Sequence, residues 1–67
     1  MNDTQKLFFK ILNYINETEL KYGAAAVLFK LRKDANNAYK IKDYDTLNKI
    51  LKRAQSARYR MKRNLGY

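Results

Sequence analysis

No proline interrupts this chain, it holds only two glycines, and its apolar residues return every three or four positions from one end to the other. Proline removes a backbone donor and clashes with the preceding turn, so its absence leaves the helical spacing unbroken. Apolar residues at i, i+3, i+4 and i+7 share one face of a helix, whereas strands need strict alternation. The spacing therefore predicts an all-α protein. With 67 residues, it is one helical domain at most, since a chain this short buries only about 60% of its unfolded surface.

Three segments carry the pattern. Residues 4–16 place Leu7, Phe8, Ile11, Leu12 and Ile15 on one face, with Asp3 or Thr4 as the cap that accepts from the first free backbone N–H groups. A second segment is expected to start at Asn16-Glu17-Thr18-Glu19, where Asn16 and Glu19 have the spacing of a capping box. The alternative is a single helix running uninterrupted across Thr18. Leu20, Ala24, Val27, Leu28, Leu31, Ala35 and Ala38 form its stripe, and Gly23 to Ala26 is small enough for a neighbouring helix to approach closely. The third segment begins near Asp43 or Asp45, either of which can cap it and complement the positive end of the helix dipole. Its stripe is Leu47, Ile50, Leu51, Ala54, Ala57, Met61 and Leu65, and Gly66 fits a C-terminal stop. Short connections between one short and two longer helices predict an antiparallel three-helix bundle.

There is no Cys and no His. That removes disulfides, the usual zinc ligands and the commonest general base. Ser56 and the threonines have no His to activate them. No phosphate-loop glycine pattern occurs, and Asp43 with Asp45 reads as capping rather than metal binding. An enzyme is not expected, and no cofactor is called for. The N-terminus lacks the basic region and small-residue cleavage site of a signal peptide, and no apolar run approaches the length of a membrane span. The expected setting is cytoplasmic. Abundant Lys, Asn, Tyr and Ile suit an AT-rich coding sequence of the kind many phages carry, for which that setting would be the host cytoplasm.

Charge says more about partners. Fifteen basic against six acidic residues give a net charge of +9, and no acid follows Asp45. On a helical wheel Lys49, Lys52, Arg53, Arg60 and Arg63 gather opposite the third stripe, with Ser56 among them and Tyr59 alongside. A solvated helix surface ordinarily mixes signs; a one-signed ribbon suits phosphates. Arg offers forked donors, Lys a point charge, and a Tyr ring hydrogen bonds or stacking. Neutralising about six phosphates would give a log–log salt slope near −5 on duplex DNA.

Two features fit less easily. Arg58 falls inside the apolar stripe and must pair or snorkel; Asp34, Glu17 and Glu19 are its expected mates. Tyr22, Ala26 and Phe29 lie opposite the second stripe, and Phe9 sits off the first. A helix that is apolar all round is usually buried on both sides, so these residues are expected to form an oligomer or partner interface.

The leading expectation is a small regulatory protein that binds DNA or RNA with weak sequence specificity through Lys49, Lys52, Arg53, Ser56, Tyr59, Arg60 and Arg63. The competing one is a regulator or inhibitor docking on an acidic host or partner protein, with Tyr22 and Phe29 as desolvated anchors. A third is an oligomeric binder of small anionic nucleotides. A helix-turn-helix reader has less support, because the join at residues 40–43 holds no glycine. A basic helix lying on an anionic membrane would want bulkier apolar residues than Ala54 and Ala57.

Overall fold

In the computed structural model, which describes residues 2–64, three helices pack against one another: α1 (Asp3–Tyr22), α2 (Ala26–Lys40) and α3 (Tyr44–Asn64). No strand occurs among the described residues. Leu65 and Gly66, expected to end the third stripe and stop its helix, lie outside them.

The first boundary follows the alternative, a single helix across Thr18, and not the break expected at Asn16. Asn2, rather than Asp3 or Thr4, caps α1: its side-chain oxygen accepts from the Gln5 amide at 2.8 Å. The helix then runs for 20 residues, through the anticipated break at Asn16 to Glu19. Thr18 explains the continuity. It is fully buried, and its hydroxyl donates to the Tyr14 carbonyl oxygen at 2.7 Å, so the helix itself satisfies the one polar group this position brings into the core. Asn16 and Glu19 cap nothing; both accept from the Arg32 guanidinium across the α1–α2 seam, Asn16 at 2.7 Å.

Gly23 makes the turn instead. Its φ of +94° belongs to a region that side chains with a Cβ rarely enter, and its amide donates to the Glu19 carbonyl at 2.8 Å. The break here, rather than at residue 16, makes α2 the shortest helix at 15 residues. It also splits the expected second stripe. Leu28, Leu31, Ala35 and Ala38 are buried, but Leu20 is 89% exposed and Val27 46%. Leu20 now belongs to α1, on the other side of the glycine, and Val27, although on α2 with the rest, lies at the exposed edge of the stripe.

The second turn uses an arrangement of backbone bonds that usually has glycine at its centre. The Asp43 amide donates to the Ala38 carbonyl at 2.9 Å and the Lys42 amide to the Tyr39 carbonyl at 3.0 Å, with Lys42 at φ +57°. Lys42 also lays its ammonium 4.3 Å from the centre of the Tyr39 ring. Asp43 then caps α3, accepting from the Thr46 amide at 3.1 Å and the Thr46 hydroxyl at 2.6 Å.

All three helices contribute to one core. Ile11 and Ile15 from α1, Leu28 from α2, and Leu47 and Ile50 from α3 are essentially inaccessible. Each such side chain contributes about 1.5–3 kcal/mol of hydrophobic transfer free energy. Phe8 stacks on Tyr39 with ring centres 4.3 Å apart. Ala54 and Ala57 are buried on the inner side of α3, where small side chains let neighbouring helices approach. The result is a rod of 37 × 18 × 15 Å, of which α3, at 21 residues and about 1.5 Å per residue, spans most of the length.

Candidate nucleic-acid interface

The residues of the basic ribbon are all exposed on α3: Lys49, Lys52, Arg53, Arg60 and Arg63, with Ser56 and Tyr59 between them. From Lys49 to Arg63 they cover about 21 Å of helix. Their charges are not consumed internally. Among the described residues the only ion pair joins Arg32 to Glu19, away from the ribbon. Asp43, just before α3, has its carboxyl held below the ordinary range. The Thr46 hydroxyl and amide account for most of this and Lys49 adds a smaller part, against a desolvation effect that works the other way.

The structure extends the ribbon onto a second helix. Between α2 and α3 runs an open groove of about 420 Å³. Its rim carries Lys30 from α2 with Lys52, Arg53 and Arg60 from α3; Val27, Leu31 and Ala57 give it an apolar floor. Asp34 is the one acid in it, and Ser56 adds a hydroxyl. On the outer side of α3 a shallower depression is formed by Lys52, Gln55, Ser56, Tyr59 and Arg60. The two hollows share Lys52, Ser56 and Arg60, so cations stand on the ridge between them. Lys30 and Asp34 were not among the expected site residues. Their spacing of four on one helix was a usable signal, but which neighbour that face meets depends on how the helices rotate against each other.

Arg58 does something else. Its guanidinium carbon lies 5.0 Å from the centre of the Tyr14 ring and 5.8 Å from that of Tyr22, both on α1. Burial pulls its pKa down, but the contacts with Tyr14 and Tyr22 outweigh that and leave it above the ordinary guanidinium value. Neither Asp34, Glu17 nor Glu19 pairs with it, contrary to expectation: Glu19 is taken by Arg32, and Asp34 faces the groove. A guanidinium is planar and weakly hydrated, so two aromatic faces suit it as well as a carboxylate does.

The expected interface residues are divided between two helices, Phe9 and Tyr22 on α1 and Ala26 and Phe29 on α2. Tyr22 is half-buried and engaged with Arg58. Phe9 is 42% exposed and lines a depression on α1 with Lys6, Lys10, Asn13, Tyr14 and Glu17. Ala26 starts α2, and Phe29, three residues on, is 69% exposed. Tyr22 and Phe29 had been placed on one helix; the turn at Gly23 puts them on two.

No group of three or more His, Cys, Asp or Glu among the described residues is placed to hold a metal ion, and none of their helices is long and apolar enough to cross a membrane. No protein-family model, curated protein or solved structure matches the chain.

Proposed function

We propose that this protein is a small non-enzymatic regulator that binds nucleic acid through the outer face of α3, contacting phosphates with Lys49, Lys52, Arg53, Arg60 and Arg63. One observation carries the reading: these cations line one face of one helix and no carboxylate among the described residues pairs with them. An unpaired cationic face draws the condensed counterions of a polyanion into solution on binding, which is a favourable and sequence-independent contribution. Sequence preference is weak, because phosphate contacts fix position without reading bases.

The contacts between helices support an antiparallel, up-down-up course. Phe8, early in α1, stacks on Tyr39, late in α2, while Arg32 in mid-α2 reaches Asn16 and Glu19. Val27 and Lys30, early in α2, share the groove with Ser56 and Arg60, late in α3. This course sets the basic residues of α2 beside those of α3.

Titrating labelled DNA and RNA at increasing salt tests the reading. With about five or six phosphate contacts, the log–log slope is near −5 on duplex and nearer −4 on a single strand. A flat salt response would end it.

A second reading has its own observation. Leu20, Val27 and Phe29 are 89%, 46% and 69% exposed, more apolar surface than a chain this size gains from showing to water. Self-association, or docking on an acidic partner protein, would cover it. Phe29→Ser would then lower the mass measured in high salt, or abolish partner capture, and leave polyanion binding intact.

A further inference from the structure

We infer that the α2–α3 groove holds an unpaired nucleobase, which makes single-stranded nucleic acid, rather than duplex, the preferred ligand of the α3 face. This rests on the reading above and adds the class of strand to it. A duplex presents phosphates on its outside and keeps its bases stacked within. For such a ligand an outward cationic face is enough, and a recess behind it has nothing to receive.

The groove is built for more than phosphate. Its floor of Val27, Leu31 and Ala57 is apolar, and Leu31 and Ala57 are only 5% and 6% exposed, so the base of the recess is part of the core surface and already in place. At about 420 Å³ it falls in the range of about 300–1,000 Å³ typical of small-ligand sites, which are likewise apolar with a few converging polar groups. A flat heteroaromatic ring satisfies such a floor; a phosphate does not.

Asp34 is the second indication. A carboxylate in a recess ringed by Lys30, Arg53 and Arg60 would oppose a phosphate that entered it. Yet among the described residues Asp34 forms no ion pair with any of these cations, and no hydrogen bond, so both oxygens stay open as acceptors. An ionised carboxylate accepts and cannot donate. Its complement is the edge of a base that carries N–H donors, an edge that is free only when the base is unpaired. Guanine offers two adjacent N–H donors there and thymine one. Asp34 therefore favours guanine.

Tyr59 continues the path. It is 64% exposed and lines the neighbouring hollow, across the ridge of Lys52, Ser56 and Arg60. A strand crossing that ridge sets one base in the groove, its phosphates against Lys52 and Arg60, and the next base on the Tyr59 ring. Stacking on an exposed ring is a usual way to hold successive bases of a single strand.

The test uses the full chain and labelled oligonucleotides of one length: an all-thymine strand, a thymine strand with guanine at alternate positions, a strand of abasic sites, and a duplex. We expect the guanine-bearing strand to bind about tenfold or more tighter than the abasic strand, which carries the same phosphates without bases, and tighter than the duplex. Asp34→Asn should bring the guanine and thymine strands to within about twofold of each other and leave abasic binding undiminished. Tyr59→Ala should weaken both base-bearing strands about tenfold and the abasic one little. Equal binding of abasic and base-bearing strands, or of duplex and single strand, with binding still weakened by Arg53→Ala/Arg60→Ala, overturns the groove inference and leaves the phosphate reading standing. Failure of every strand to bind in a salt-dependent way overturns both.

Discussion

Arg58 and Arg60 stand two positions apart on α3 and meet different surroundings. Arg58 turns toward α1 and lies over the Tyr14 and Tyr22 rings. Arg60 is exposed and lines both the α2–α3 groove and the depression beside Tyr59. At 100° per residue, two positions rotate a side chain by about 200°, from one side of a helix to the other. In a run this rich in cations, formal charge therefore does not distinguish a residue that holds the fold from one that meets a ligand. The environment does, and it assigns the two arginines to different measurements.

The sharpest way to break this contrast is the double variant Arg53→Ala/Arg60→Ala. Affinity for nucleic acid should fall about a hundredfold at 50 mM salt, with the slope shallower by about 1.4 on a single strand or 1.8 on duplex, and with thermal stability unchanged. Unaltered binding would take the exposed arginines out of the account. Arg58→Ala should show the opposite profile. Losing both aromatic contacts and the packing of its stem should cost about 1–2 kcal/mol, a fall in Tm of about 5–10 °C for a domain this size, while affinity stays within about threefold. If affinity fell as far as in the double variant, the division between the two arginines would collapse.

Two smaller effects test the turn that aims α3. Lys42 sits at a left-handed φ of +57° and stacks on Tyr39. Lys42→Gly relieves the backbone and loses the ring contact, so a net gain of about 0.5 kcal/mol is expected in denaturant unfolding. Destabilisation would mean that the ring contact outweighs the backbone strain. Asp43 tests the cap. Its carboxyl pKa is lowered, chiefly by the Thr46 hydroxyl and amide. The charged cap therefore adds stability that is fully present above the unfolded carboxylate value of about 3.9 and is lost as pH falls through the lowered folded-state value. Asp43→Asn should flatten stability against pH in that acid window, with its deficit relative to the parent chain largest near neutrality and vanishing toward low pH. An unchanged acid slope would show that the cap charge contributes nothing.

Much of the core was legible in advance. Leu7, Phe8, Ile11 and Ile15 in α1, and Leu47, Ile50, Leu51, Ala54 and Ala57 in α3, lie inside as their spacing required, because a helix turns its own side chains by a fixed angle whatever packs against it. The exposed ribbon on α3 followed from the same geometry. The first turn was placed wrongly because Asn16 and Glu19 have a capping spacing, and only the packed neighbours show that Arg32 occupies both. Leu20 and Val27 were then assigned to a stripe that the glycine divides. Lys30 and Asp34 were overlooked because they join the site from another helix.

What the sequence alone determined is therefore everything that one helix settles for itself: the helical class, the apolar stripes of α1 and α3, and the outer face of α3 that carries no acid beyond Asp45. These depend on interactions within about four residues and a constant rotation per residue. Which arginine lies on aromatic rings, which carboxylate faces a cationic groove, and which of two candidate turns the chain takes were decided by the tertiary structure. Those outcomes depend on how three helices are rotated about their own axes when they pack, and no single helix's sequence encodes the angle of its neighbour.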